Sequence, residues 1–334
     1  MQFINREQEK KDLIAHLETE PNAILFLYGP KSCGKSTLLN KIIEDLDYKK
    51  YAINFLDLRQ VIINNFQSFL DVFFQKSKTK KAQEILSGVT LNIGFFKVGI
   101  KDEEIFNKNS FKIIIDQVRK AKENGIQPVI IIDEIQELAN IYTNENKHLL
   151  DELLNLFIAL TKVTHLAHVV LATSDSCFIE KIYSNAKLSK TSKFYFIDHL
   201  QKEDIEKWLK TEGIYAEDID YIWENLGGSP WEIQQVLINK QSNKDLQESV
   251  QKVIKDLSGQ VSVFYDNLED AEAKIFKKIS KEIMKKGEYL KKERERLSGL
   301  LQKTVENDIW FYNASESKIT ANSKSLEIVF KEIF

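Results

Sequence analysis

The eight residues Gly29-Pro30-Lys31-Ser32-Cys33-Gly34-Lys35-Ser36 restrict what this chain can fold into more than any other segment. They fill the pattern G-x-x-x-x-G-K-[ST]. The apolar run Ala23 to Tyr28 precedes them, and from Lys35 a helical pattern places Leu38, Leu39, Ile42, Ile43 and Leu46 on one face. Strand, glycine-rich loop and helix, in that order, let backbone N–H groups converge on phosphate oxygens at a helix N-terminus. On this reading Gly29, Pro30, Lys31, Ser32, Cys33 and Gly34 form the cradle and Lys35 reaches the β- and γ-phosphates. Ser36 holds Mg²⁺, and Thr37 stands behind it. The alternative, a chance glycine turn, gives no reason for the flanking elements.

A second segment completes the chemistry. Val129-Ile130-Ile131-Ile132 reads as a strand buried on both faces, and it delivers Asp133 and Glu134 to the edge where open α/β sheets bind ligands. Asp133 is placed to orient a Mg²⁺-bound water and Glu134 to polarise the attacking water. Taken alone, the pair also reads as a solvated acidic turn at a strand end.

The 334 residues suit two or three domains, and 43% hydrophobic with 29% charged residues is globular composition. Strand signals at 23–28, 51–58, 129–132, 167–173 and 194–197 alternate with helical patterns, which predicts a parallel sheet over residues 1–198. Residues 199–260 read as short helices broken at Gly213 and at Gly227-Gly228-Ser229-Pro230. A third unit, 261–334, reads as helices followed by strands at 309–312 and 318–320, the order of a winged helix-turn-helix. The expected fold is thus α/β, followed by a helical lid and a winged helix. Val89 to Ile100 reads as a hairpin or irregular insertion, part of a 75–110 stretch without an assigned role.

With these features in place, the chain resembles the archaeal ATPases of the STAND class, within the wider AAA+ group of P-loop NTPases. The resemblance rests on Phe3-Ile4-Asn5-Arg6-Glu7-Gln8-Glu9, the cradle, Ile132-Asp133-Glu134-Ile135-Gln136-Glu137-Leu138 and Gly227-Gly228-Ser229-Pro230, and it extends to Glu306–Tyr312. It implies an ATPase with ATP and Mg²⁺ as ligands, Arg6 near the adenine and Pro230 in a lid that closes over the nucleotide. From the residues alone, Arg6 reads rather as a surface salt-bridge residue and Gly227–Pro230 as a helix-ending turn. Ser174, after the strand that ends at Thr173, corresponds to the polar sensor of the γ-phosphate; it also reads as a cap of the next helix.

One departure from the family pattern concerns arginine. Relatives often carry Gly-Arg before the last strand, where this chain has Ala186-Lys187-Leu188-Ser189-Lys190-Thr191-Ser192-Lys193, and only five of its 47 basic residues are arginine. Thr191 aligns best with the relatives' arginine, so an arginine placed there is expected to raise hydrolysis. Otherwise Lys190 or Lys193 supplies the charge without a bidentate fork. Arg59 ends the second strand, Arg119 lies in the helix before Asp133, and Arg294 and Arg296 lie in the C-terminal unit.

Net charge is −3, yet residues 274–303 carry eleven Lys or Arg against four Glu. That segregation suits double-stranded DNA, a solvated face, or a winged helix docked on its own ATPase domain. The expected function is an ATP/ADP-operated switch acting on a protein partner, a homo-oligomer or DNA. The alternative is a DNA-binding factor with nucleotide as a structural ligand, and a small-molecule phosphotransferase ranks last. The sequence shows no membrane span and no signal-peptide pattern. With two cysteines, Cys33 and Cys177, it reads as a cytoplasmic protein with reduced thiols.

Overall fold

A computed structural model describes residues 6–74, 103–241, 245–292 and 297–334. The predicted hairpin at 89–100, Arg294 and Arg296 lie outside them. The first unit comprises α1 (Glu7–Glu18), β1 (Ile24–Tyr28), α2 (Lys35–Asp45), β2 (Tyr51–Asp57), α3 (Phe66–Phe73), α4 (Glu103–Glu123), β3 (Gln127–Asp133), α5 (Leu149–Ile158), β4 (His168–Thr173), α6 (Ser176–Ser184), α7 (Ala186–Ser189) and β5 (Ser192–Phe196). The strands form one parallel sheet in the order β2-β3-β4-β1-β5.

Strand sequence explains the two-sided cover. In β1, Ile24, Phe26 and Tyr28 belong to one apolar cluster with residues of α4, α5 and α6. Leu25 and Leu27 belong to another with Leu13 and Leu17 of α1 and Leu38, Leu39, Ile42 and Ile43 of α2. A period of two along a strand whose every residue is apolar needs a helical layer on each face, and parallel crossovers supply it.

The register brings the strands' C-terminal ends to one edge. Tyr28 pairs with Thr173 and with Phe196, and Asp57 pairs with Asp133. The phosphate loop leaves that edge after β1, so β2, β3 and β4 aim their last residues at it.

Beyond the sheet follow α8 (Lys202–Thr211), α9 (Ala216–Leu226), α10 (Pro230–Gln241), α11 (Leu246–Asp266), α12 (Asp270–Lys286), β6 (Tyr289–Leu290), α13 (Ser298–Glu306), β7 (Trp310–Asn313), β8 (Lys318–Ala321) and α14 (Lys324–Ile333). The last three strands form an antiparallel sheet ordered β6-β8-β7, which with its helices is the winged helix. The expected boundary at 260/261 falls inside α11. A single apolar cluster holds Ile205 and Ile222 of the lid together with Phe276, Trp310 and Phe330 of the winged helix. Among the described residues no helix is long and apolar enough to cross a membrane.

Candidate functional site

The glycine-rich loop expected to cradle phosphates runs from the end of β1 to the start of α2. A Cβ on Gly29 would lie 1.8 Å from the carbonyl oxygen of Ile197, so the loop passes β5 at a distance only glycine permits. Lys35 is buried, and its Nζ donates to the carbonyls of Gly29 at 3.0 Å and Pro30 at 2.8 Å. Cys33 is fully buried, with its Sγ 3.3 Å from the Ile197 carbonyl.

Arg6 is not a surface residue, being only 5% exposed. Its Nη2 donates to the carbonyls of Cys33 and Asp198, both at 2.6 Å, and its Nη1 pairs with Glu9 at 2.8 Å. The arginine therefore ties the phosphate loop to the end of β5. Beside it lies a cavity of about 220 Å³, lined among others by Glu9, Phe196, Asp198, His199 and Gln201. His199 Nε2 is 2.7 Å from the Asn322 carbonyl, to which it donates, while its Nδ1 has no hydrogen-bond partner. Burial lowers the His199 pKa, favouring the neutral ring with a bare acceptor nitrogen.

The two carboxylates are held by different means. Asp133 is fully buried, its Oδ1 accepting from the Glu134 N–H at 3.0 Å. Burial pushes its pKa up and the nearby Glu134 adds to this, while a hydrogen bond from Ser36 and the charge of Arg59 oppose the shift. Glu134 stands in the left-handed region at φ 57° and ψ 49°, a strained position for a residue with a side chain. Its Oε2 accepts from Gln136 Nε2 at 2.6 Å and from Ser174 Oγ at 2.9 Å. Ser174 thus contacts the expected general base, and the helix-capping role falls to Asp175, whose carboxylate accepts from the Phe178 N–H at 3.0 Å. Thr173 Oγ1 donates to Gln136 Oε1 at 2.6 Å, which fixes the amide that holds Glu134.

Gln136 has no role in the sequence reading, and Arg59 appears there only as one of few arginines. Gln136 lies two positions beyond Glu134, a spacing that a tight turn brings back on itself. Arg59 takes a central place that its position just past the end of β2 does not announce. Its Nη2 reaches Ser36 Oγ at 2.6 Å and Asp133 Oδ2 at 3.1 Å, and its Nη1 reaches Glu134 Oε1 at 3.3 Å. One cationic nitrogen thus bridges the hydroxyl and the carboxylate that sequence assigns to Mg²⁺. These are hard oxygen donors converging on a position that already carries positive charge, so Ser36 and Asp133 fit a magnesium ion.

Strand register places Thr191 far from the glycine-rich loop of its own chain. Ser192 pairs with Ile24 at the start of β1, whereas the cradle follows Tyr28 at its other end. Thr191, with its Oγ1 bonded to the Lys187 carbonyl at 2.9 Å, lies roughly five strand residues, about 16 Å, from the phosphate loop. Lys190 and Lys193 share that distant end. Arg119 pairs with Asp116 on its own helix.

The winged helix lies against the loop and the α/β unit. Lys31 Nζ meets Asp308 Oδ2 at 2.6 Å, joining the cradle to the turn before β7. Phe196 stacks on Phe311 with centroids 5.6 Å apart, and Glu180 of α6 receives both Lys291 at 2.9 Å and the Tyr312 hydroxyl at 3.1 Å. Pro230 is buried at the start of α10, behind a turn where Gly228 accepts from the Leu200 N–H at 3.0 Å. A larger cavity of about 1050 Å³ opens between Lys31 and Ser32 of the loop, Ser229 and Glu232 of the lid, and Asp308 and Asn322 of the winged helix.

Comparison with known proteins identifies the family and the fold. The family described as an ATPase domain predominantly from Archaea matches residues 3–236. The chain belongs to that family. Among its relatives, the uncharacterized ATP-binding protein MJ1076 of Methanocaldococcus jannaschii is 37% identical over 340 residues, spanning all of this chain and 99% of the relative. The uncharacterized ATP-binding protein PYRAB09480 of Pyrococcus abyssi is 31% identical over 84% of this chain and 83% of its own length. The solved Walker-type ATPase PABY2304 of Pyrococcus abyssi shares the fold with a TM-score of 0.67 at 15% identity, covering 98% of this chain and 96% of the other. The ORC2 protein of Aeropyrum pernix, solved as ADPNP and ADP complexes, gives 0.52 at 11% identity, covering 98% and 92%. A shorter match joins residues 232–309 to the C-terminal domain of endoplasmic reticulum protein ERp29. This archaeal ATPase domain is therefore P-loop α/β with a winged helix behind it, as its sequence predicts.

Proposed function

We propose that the protein is an ATP-binding, ATP-hydrolysing switch in which the state of the phosphate loop governs how the winged helix sits on the α/β unit. The observation that carries this reading is the Lys31–Asp308 contact, a cation of the cradle paired with a carboxylate of the winged helix. Phosphates entering the cradle bring negative charge toward Asp308 and compete with it for Lys31. An exposed pair of this kind is weak, so a polyanion can displace it. The relatives' description as ATP-binding proteins supports the choice of nucleotide.

In this reading Lys35 turns from the loop carbonyls to the phosphates, and Arg6 fixes the loop beside the 220 Å³ cavity that takes the nucleobase. Ser36 and Asp133 would hold Mg²⁺, which would neutralise charge on the phosphate oxygens. Glu134 polarises the attacking water, held in place by Ser174 and Gln136.

A distance measured between spin labels on α13 and on α2 tests the switch. It is expected to change on adding Mg²⁺ and a non-hydrolysable ATP analogue, and Asp308→Asn is expected to shift the nucleotide-free distance toward that value. A wild-type distance indifferent to nucleotide would overturn the reading.

A second reading, binding to double-stranded DNA through residues 274–303, has one feature in its favour. Lys274, Lys278, Lys281 and Lys285 follow helical spacing along one face of α12. Lys291 and Lys303, by contrast, are paired with Glu180 and Glu272. Duplex binding that weakens steeply with salt, and is reduced by neutralising those four lysines, would support it.

A further inference from the structure

The position assigned to Mg²⁺ is filled by a side chain of the protein itself. Arg59 uses its whole guanidinium there: Nη2 on Ser36 Oγ, Asp133 Oδ2 and, at 3.4 Å, Asp57 Oδ2; Nη1 on Glu134; Nε on Asp57 Oδ1 at 3.2 Å. The Arg59 backbone N–H also donates to Asp57 Oδ1 at 3.1 Å. Burial works to lower its pKa, but Asp133, Asp57 and Glu134 together raise it, so the cation stays charged.

We propose that Arg59 is the resident counter-ion of the metal position, and that its guanidinium and Mg²⁺ compete for the same oxygens. The inference rests on the reading that the cradle binds nucleotide with Mg²⁺. Magnesium takes its oxygen ligands at about 2.0–2.1 Å and demands near-octahedral geometry. A metal on Ser36 Oγ therefore cannot coexist with a cationic nitrogen 2.6 Å from that oxygen and bridged to Asp133. Asp57 makes the exchange reversible. It holds Arg59 through Nε and the backbone N–H, neither of which touches Ser36 or Asp133, so the guanidinium can leave the metal position while remaining tethered to the end of β2.

Electrostatics give this arrangement a measurable consequence. Asp57, Asp133 and Glu134 place three carboxylates at the edge of a site that receives phosphates. Without a cation among them, an anionic ligand meets uncompensated repulsion. With Arg59 in place, nucleotide binds even when Mg²⁺ is removed, and Mg²⁺ must displace an ion pair before it supports hydrolysis. The arginine thus softens the metal requirement for binding and raises the metal concentration needed for turnover.

The test compares affinities for ADP and a non-hydrolysable ATP analogue by calorimetry, in excess Mg²⁺ and in excess EDTA, for the wild type, Arg59→Ala and Arg59→Lys. In Arg59→Ala the ratio of the Mg²⁺ affinity to the EDTA affinity is expected to rise about tenfold or more, mainly through weaker binding in EDTA. The Mg²⁺ concentration giving half-maximal enhancement of binding should fall. Arg59→Lys keeps the charge without the fork, so it should restore EDTA binding in part and still lower the half-maximal Mg²⁺; this variant decides the matter if the alanine variant does not fold. An unchanged ratio, or equal weakening in both conditions as a purely structural arginine would give, overturns the proposal while leaving the nucleotide site standing. A wild type that binds no nucleotide in either condition overturns both.

Discussion

Glu232 offers a test of how lid and winged helix are joined. It lies in the first turn of α10, is 5% exposed, and its Oε2 accepts from the Ser325 hydroxyl at 2.6 Å, with Ser323 and Ser325 bonded to each other at 2.8 Å. Its partners are hydroxyls rather than a cation, and burial pushes its pKa from 4.5 up to about 7 against the hydrogen bonds from Ser325 and Ser323. A carboxyl whose folded pKa is raised binds more protons folded than unfolded. Its protonated form is therefore compatible with the fold below pH 4.5, and stability is lost as pH rises from there through about 7. A difference of about 2.5 pKa values at 1.36 kcal/mol each corresponds to roughly 3 kcal/mol between mildly acid and alkaline conditions. For a chain of this size that is on the order of 5 °C in Tm. Thermal unfolding of the wild type at pH 5 and at pH 8.5, beside Glu232→Gln, measures it, because the amide cannot ionise and should remove most of the alkaline loss. Equal pH dependence in the two proteins would refute the reasoning.

Three further outcomes follow from the site and its frame. Lys35→Ala should weaken nucleotide binding on the order of a hundredfold while the melting curve persists, since it removes the buried charge facing the phosphates; calorimetry with unchanged affinity would contradict it. Glu134→Gln should retain bound ATP and lose most turnover, and hydrolysis at the wild-type rate in a phosphate-release assay would remove Glu134 from the mechanism. Gly228→Ala should destabilise by about 2–4 kcal/mol in denaturant unfolding, because its Cβ would lie 1.8 Å from the Leu200 carbonyl in a close backbone contact.

Local signals in the sequence carried the cradle, the β3 strand and the winged ribbon because each is written in neighbouring residues. Gly29 to Ser36 need only their own turn and helix, and Val129 to Ile132 need only their apolar character. Features that depend on register or distant packing were not readable. α11 continues through Gly259 to Asp266 although that glycine weakens a helix, because Val253, Ile254 and Val261 are buried in the shared apolar cluster. The two-residue strand Tyr289–Leu290 exists through its pairing with Ile319 and Lys318, and the C-terminal helix buries Leu326, Val329 and Phe330 in the cluster shared with the lid. Thr191 looked suitable by alignment, but the pairing of Ser192 with Ile24 puts it at the wrong end of the sheet. Arg59 was visible as one of few arginines, yet nothing near it in the chain announces a partner 74 positions away at Asp133.

Taken together, the cations around the cradle reveal a property that no one of them shows alone. Lys35 is engaged with carbonyls of the loop, Arg6 with the loop and the end of β5, Lys31 with the winged helix, and Arg59 with the carboxylates of β2 and β3. Each of these four cations has a partner inside the protein, and the partners lie on different structural elements. An incoming nucleotide must therefore exchange protein contacts for its own, giving up part of its binding free energy to rearrangement. On the proposed function, such exchange would tie the occupancy of the loop to the winged helix and to the metal position at once. A cradle with free cations would bind more tightly, and it would leave the winged helix and the metal position unaware that it had done so.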